Sequence, residues 1–536
     1  MSSIADPHVV DDDDAPGPPI TVADASGDGE GGKLKMIVQL VKKSLGVKDI
    51  AAMRLSLPAS LLEPIPNLEY WHYLDRPDMF AAINDSDDPF ERMLAVVRFA
   101  FTKDLKFVHG KVCKPYNSVL GEHFRTHWDV VPAKSPITTS GTTTAETASV
   151  KSGHSSKSTH SGVSSISKTG QSPSTAATSL ETPMSQLNLA RPEGHARVIY
   201  ITEQVSHHPP VSAYYAACPS RSLELYGIDQ IAAKISGTTL RVSPGVYNKG
   251  IYVNITGGPG AGEEYNITHP IASVNGLLRG SFYVTVAEST IISCTGGNQR
   301  FRAILEYKEE SWLGRAHFLM EGVIHTVVEG ETQHNEWTKV KHVPQARVVA
   351  VFDGSWRNRI RWRRVGVNSY PDTTPSSYSS PSPSHASLLV PPSALASAAS
   401  SRINISAAKE EEYATLIDME ALQVVPKNVR PLEKQLPHES RRLWDSVTTR
   451  LLKKEFSDAT KEKVAIEQKQ RDEAADRKRK GVEFVPRYFE KGLENGHAAL
   501  TAAGRQAVDE EMAEPAEYDL DGGSSPVTLK PTSSVS

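Results

Sequence analysis

From residue 196 to about residue 364 the hydrophobic pattern has a period of two, and this long alternation constrains the fold more than any other feature of the chain. In Phe282-Tyr283-Val284-Thr285-Val286 and in Phe301-Arg302-Ala303-Ile304-Leu305-Glu306-Tyr307, apolar or aromatic residues alternate with others, as half-buried strands require. Ile251, Val253 and Ile255, then Ala316, Phe318 and Met320, continue the alternation, and Val348-Val349-Ala350-Val351 reads as a more fully buried strand. Gly, Asn and Pro mark turns between the runs. Many short strands without intervening helices predict a large antiparallel sheet that sandwiches or closes on itself, and a closed barrel of many strands can enclose a ligand cavity. The expected fold class is therefore mainly β with helices. Although 536 residues could supply several domains, barrels use roughly 200 to 250 residues as one unit.

The flanking text is different in kind. Residues 1–32 are rich in Asp, Gly, Pro and Ser and too poor in apolar residues to offset the entropy of ordering, so they are expected to be disordered. Leu34, Met36, Ile37, Leu40, Val41, Leu45 and Val47 then recur among Lys33, Lys35, Lys42, Lys43 and Lys48 as a short basic amphipathic segment. Such a segment fits an anionic membrane surface or a place on the protein's own core, and docking on the core is the favoured reading. Phe90, Met93, Leu94, Val97, Phe101 and Leu105 have the spacing of a core helix over residues 89–106. Residues 132–192 are a Ser-, Thr-, Gly- and Ala-rich stretch with almost nothing to bury, whose hydroxyls are candidate phosphorylation sites, and residues 366–407 are a second, Ser- and Pro-rich insertion. Phe484 to Phe489 are expected to pack back on the core, and residues 494–536, small and acidic, to form a loose tail.

Charge and cysteine count exclude some classes. A formal net charge of −4 argues against a generally nucleic-acid-binding chain. Cys113, Cys218 and Cys294 are odd in number and lack metal-ligand spacing, so neither a disulfide framework nor a zinc site is expected, and the implied compartment is reducing. No apolar run approaches the roughly 18 to 20 residues needed to span a bilayer, which leaves peripheral membrane contact.

Three stretches carry candidate chemistry. Val198-Ile199-Tyr200-Ile201 leads into Glu203-Gln204-Val205-Ser206-His207-His208-Pro209-Pro210. Proline fixes φ, offers no N–H and biases the preceding residue toward extended geometry, so a strand must end or reach an edge there. Two imidazoles at such a rim suit an anion, although a plain turn with two exposed histidines explains the same residues equally well. In Lys114-Pro115-Tyr116-Asn117-Ser118-Val119-Leu120-Gly121-Glu122, a lysine held extended by proline precedes an amide that can donate and accept hydrogen bonds. Lys463, Glu467 and Arg471 recur every fourth position and so share one helix face, a spacing that also decorates solvated helices with ion pairs. The glycine-rich run from Gly257 to Gly262 precedes no helix and reads as a turn, not a dinucleotide loop. A metal-enzyme reading would use His207 and His208 with Glu203, but no HExxH or CxxC spacing supports it, and no nucleophile-base-acid set is evident.

The octapeptide from Glu203 to Pro210 resembles, at all eight positions, the signature of the oxysterol-binding-protein-related family of lipid transporters. The Lys114 motif is similar to a second family motif, with Ser118 where members often have proline, and residues 459–471 resemble the family's second phosphoinositide-binding segment. Leu57-Pro58-Ala59-Ser60-Leu61-Leu62-Glu63-Pro64 looks like the phosphatidylserine-carrying branch and departs from the sterol-carrying branch at the glutamate. The resemblance implies a single lipid-binding domain over residues 33–493, interrupted by the two insertions. It would be a near-closed antiparallel barrel around a lipid tunnel, with an N-terminal lid and a C-terminal helical region. It further implies exchange of phosphatidylserine for phosphatidylinositol 4-phosphate between membranes, without cofactor, metal, nucleic acid or covalent catalysis. Lys114, Asn117, His207, His208, Lys463, Glu467 and Arg471 would bind the phosphoinositide headgroup, with Glu467 holding the two helix cations, and Leu57, Leu62 and Asn117 would lie at the cargo entrance. The implied location is cytoplasmic and peripheral, at the endoplasmic reticulum and its contacts with plasma membrane or Golgi. A sterol exchanger and a lipid-sensing scaffold without net transport remain the alternatives.

Overall fold

The computed structural model describes residues 20–21, 30–44, 46–53, 55–109, 113–135, 194–277, 282–310, 316–365 and 413–516. Most of residues 1–32 and 132–192, all of 366–407, and residues 517–536 lie outside the described residues.

The period-two region, joined by the strands His123–Val130 and Ala414–Asp418 from outside it, forms one 15-stranded sheet in which every pairing is antiparallel. Its main path runs from His123–Val130 through Ala196–Ser206, Val211–Cys218, Leu223–Asp229, Ile251–Ile255, Glu264–Ile267, Tyr283–Thr295, Arg300–Tyr307, Leu319–Val327, Val348–Ser355 and Arg359–Arg364 to Ala414–Asp418. Ile271–Asn275, Thr239–Pro244 and Ile231–Ser236 branch from Tyr283–Thr295. The two terminal strands of the path do not pair with each other, so the sheet is a near-closed barrel that stays open along that seam. An open edge left bare would be a template for pairing with another chain. Here residues 428–439 cover it: His127 and Asn428 exchange backbone bonds of 3.2 and 2.9 Å, and His123 N–H donates to His438 O at 3.0 Å.

The core helix runs Pro89–Thr102, with Asp88 as N-cap accepting from the Phe90 N–H at 2.8 Å and proline in its first turn. Phe90, Met93, Leu94, Val97 and Phe99 bury its apolar face among the strands. Arg92 is almost fully buried and makes a two-pronged bond to Glu263, whose other donor is Tyr265 Oη at 2.8 Å. This clamp ties the helix to the strand Glu264–Ile267 and its preceding turn, the glycine-rich run, which Asn84 also grips through Gly257 O and Gly260 N–H.

The expectation of a loose tail from residue 494 is overturned over residues 494–516. A helix, Ala502–Ala513, packs on the strands Ala196–Ser206 and His123–Val130. Its contact surface is small: Ala498 and Ala507 are buried with Tyr488 and Phe489, and a Cβ on Gly504 would stand 2.2 Å from Tyr488 O. Its anchor is polar, because fully buried Glu511 accepts from Arg430 Nη2 at 2.8 Å and lies 2.8 Å from His127 Nδ1. Thr501 caps it by accepting from the Gly504 N–H.

Candidate functional site

One cavity of about 1440 Å3 lies inside the barrel, larger than the roughly 300 to 1,000 Å3 typical of small-molecule sites. Its lid is the helix Glu30–Ser44. Leu34, Ile37, Leu40 and Val41 face the cavity, while Lys35, Lys42 and Lys43 point to solvent. Met36 and Leu40 pack with Leu57, Leu62 and Trp444 on one side, and Ile37 and Val41 pack with Ile235 and Leu240 on the other. The amphipathic segment is thus docked on its own protein, with its lysines left outward. Among the described residues no helix is long and apolar enough to cross a membrane.

The expected site residues converge on this cavity. Leu57, Leu62, Lys114, Asn117, His207, His208, Glu467 and Arg471 all line it. Lys463 does not; it is 2% exposed and sits behind the lining, its Nζ 2.6 Å from Glu467 Oε1. The expected role of Glu467 needs correction, since it holds Lys463 alone. Arg471 is fixed instead by Gln468, whose Oε1 accepts from Nε at 3.1 Å and Nη2 at 2.8 Å. An uncharged acceptor leaves the guanidinium's positive field uncompensated for an anion, where a carboxylate partner would have offset it.

Backbone connections explain why motifs far apart in sequence meet. The strand Ala196–Ser206 ends at the histidines, and the turn is braced by Gln204 Nε2 donating to Ser206 O, Ser206 Oγ to Pro209 O, and Ser212 Oγ to Gln204 Oε1. The His207 and His208 rings meet edge to face at 4.5 Å. Gly121 N–H donates to Gln204 O, and Gln204 N–H to Glu122 O, so the lysine motif is laced to the histidine strand. Gly121 has φ +78°, a left-handed conformation that suits glycine. Lys114 Nζ donates to Asn117 Oδ1 at 2.6 Å. Burial, and then the nearby charge of Lys463, pull the Lys114 ammonium down to about 8. An arriving anion opposes that shift, because a negative charge nearby favours the protonated ammonium.

The family model described as oxysterol-binding protein matches residues 36–506 of this chain. The chain belongs to the oxysterol-binding protein family. The family is one of lipid-binding and lipid-transfer domains. Oxysterol-binding protein-like protein 1 of Schizosaccharomyces pombe is 36% identical over 532 residues, covering 90% of this chain and 92% of that one. Human oxysterol-binding protein-related protein 11 is 27% identical over 439 residues, which are 81% of this chain but 45% of the human protein. In structure the chain is similar to the Osh1 ORD domain in complex with cholesterol, with a TM-score of 0.50 at 17% identity over 89% of each chain. That likeness agrees with the near-closed antiparallel barrel.

The histidine motif and the Lys114 motif each contain a glutamate that does not line the cavity. Glu203 accepts from the Arg487 and Tyr488 N–H groups at 2.8 and 2.7 Å, fastening the C-terminal segment beneath the histidine strand. Glu122 is fully buried. Its Oε1 accepts from Ser440 Oγ at 2.7 Å, and its Oε2 from Trp444 Nε1 at 3.0 Å and Val119 N–H at 3.1 Å. Burial pushes its carboxyl up to about 7 despite these donors. Tyr116, in the same motif, stacks against Trp444 at 5.0 Å.

Deeper groups were not foreseen from sequence. Lys103 and Asp104 form an ion pair on the cavity wall, beside His269 and Asp229. Tyr73 Oη donates to Asp229 Oδ1 at 2.6 Å, and burial pushes Asp229 up to about 6. Burial, then the Lys103 charge, draw His269 down to about 3. No short motif joins these residues, which come from four separate segments. Among the described residues no group of three or more His, Cys, Asp or Glu side chains could hold a metal ion.

Proposed function

We propose that this chain carries one lipid at a time, exchanging phosphatidylserine for phosphatidylinositol 4-phosphate between membranes. The observation that carries this reading is the continuity of one cavity, whose lining joins Lys114, His207, His208 and Arg471 to a largely apolar wall. Each acyl methylene transferred from water to such an interior is worth about 0.8 kcal/mol, so an enclosed lipid retains what the bilayer gave it. The headgroup needs separate compensation. For a phosphorylated inositol it comes from charge-assisted bonds to Lys114, His207, His208 and Arg471, with Lys463 behind them and Asn117 available to either lipid. Two lipids that need the same space compete, so a gradient of the phosphoinositide drives the other uphill. The outward lysines of the lid would meet an anionic bilayer as peripheral contacts, at the endoplasmic reticulum and its contacts with plasma membrane or Golgi. Phosphatidylserine is the cargo suggested by the Leu57-to-Pro64 motif. A sterol is the second reading, favoured by the polar wall at Asp104, Asp229 and His269, which could hydrogen-bond a hydroxyl.

Native mass spectrometry of the protein purified from cells tests the cargo. One phosphatidylserine per chain is expected. A sterol in its place keeps the mechanism and changes the cargo, and protein that never holds lipid returns the chain to the scaffold reading.

A further inference from the structure

Lys454 occupies an unusual position for a lysine. The helix Asp445–Leu452 ends in a pair of closing bonds, from Lys454 N–H to Leu451 O at 3.0 Å and from Glu455 N–H to Arg450 O at 2.9 Å. This closure places Lys454 in the left-handed region, at φ +61°, which is costly for any residue with a Cβ and is most often given to glycine. A short helical turn, Pro219–Arg221, also ends on a non-glycine left-handed residue, Ser222, but the comparable α-helix closure in this chain uses glycine. The helix Phe456–Lys480 closes with the same two bonds, Gly481 N–H to Lys478 O and Val482 N–H to Arg477 O, and there the residue at φ +63° is glycine. The two turns differ in what they face. Nothing stands within 4 Å of a Cβ on Gly481, whereas Lys454 lines the cavity together with Phe456, Val464 and Arg471.

Several cations on the same two helices are committed to carboxylates. Arg450 is paired with Glu455, Lys461 with Asp458 and Lys463 with Glu467, while among the described residues no carboxylate pairs with Lys454. Backbone strain retained at a cavity rim, with an uncompensated ammonium as its result, is the pattern expected of a functional position. We propose that Lys454 is an additional cation of the cavity mouth, placed by its left-handed backbone to bind the phosphate of an anionic lipid headgroup held in the cavity. This rests on the carrier reading above and adds a residue that neither family motif contains.

The test compares wild type with K454G, K454Q and K454R in displacement of a fluorescent phosphatidylserine by dispersed short-chain phosphatidylinositol 4-phosphate, without a bilayer. K454G is expected to melt at a higher temperature than wild type, because glycine relieves the strain, and yet to need roughly five- to tenfold more phosphoinositide. K454Q should show the same loss at wild-type melting temperature, and K454R should stay near wild type in both. Wild-type displacement by K454G overturns the proposal. So does a loss confined to binding of phosphatidylserine vesicles, which would assign Lys454 to the bilayer surface. If wild type itself is not displaced by the phosphoinositide, it is the carrier reading that fails.

Discussion

Alanine at both His207 and His208 is expected to weaken phosphatidylinositol 4-phosphate binding by about two to four orders of magnitude while leaving the fold intact. A hydrogen bond to a charged partner is worth about 1.5 to 3 kcal/mol net, and each factor of ten in affinity is about 1.4 kcal/mol. The turn that carries the rings is braced by Gln204, Ser206 and Ser212, which the double variant keeps, so stability should move by no more than about 1 kcal/mol. Titrating the phosphoinositide against a bound fluorescent cargo, beside a melting curve, reads both quantities. Displacement at the wild-type concentration would remove the histidines from the site.

The second large effect is on stability, at Glu122. Alanine there leaves the Trp444 indole N–H and the Val119 N–H buried without acceptors, each at about 1 to 3 kcal/mol, so a loss of about 3 to 5 kcal/mol is expected near pH 5. Glutamine should behave differently. Its amide oxygen can serve the Trp444 and Val119 donors, and its NH2 can donate to Ser440 Oγ, so near pH 5 it should match wild type. The pH dependence separates the two. The Glu122 carboxyl titrates at about 7 in the folded protein, against the usual 4.5, so the native state keeps its proton longer than the unfolded state does. The stability due to that proton is complete below about pH 4.5 and is lost as pH rises through 7. By pH 8 the Glu122→Gln variant should therefore be the more stable protein, by up to about 3 kcal/mol. Denaturant unfolding of wild type and both variants at pH 5 and pH 8 checks this. Parallel pH profiles for wild type and the glutamine variant would show that the carboxyl is not held protonated.

What could be read from sequence follows the range of the interactions involved. Alternation over residues 196–364 reports burial on one side of each strand, and burial is set locally, so strands there were legible, whereas the two ends of the sheet, His123–Val130 and Ala414–Asp418, lie outside that region and were not. The core helix was legible for the same reason, from Phe90 to Phe101. The candidate site was legible because Lys114, Asn117, His207, His208, Glu467 and Arg471 sit in compact motifs. Their meeting was not, because it depends on the Gly121–Gln204 and Gln204–Glu122 backbone bonds across separate segments. The C-terminal helix escaped because it is held by alanines, by Gly504 and by Glu511 reaching His127 and Arg430, a partnership that no window of sequence contains. Composition sees only small and acidic residues there. Gln468 escaped because a neutral amide beside Arg471 carries no signal of its own, and Lys454 because backbone handedness at a lysine leaves no mark in the text.

The most direct test of one cavity serving two lipids in turn is exchange between two vesicle populations, one holding labelled phosphatidylserine and the other phosphatidylinositol 4-phosphate. The expected result is phosphatidylserine moving toward the phosphoinositide vesicles, even against its own gradient, with one phosphoinositide returned for each molecule delivered. Transfer at the same rate when the phosphoinositide is omitted, with nothing carried back, would contradict exchange through a shared site.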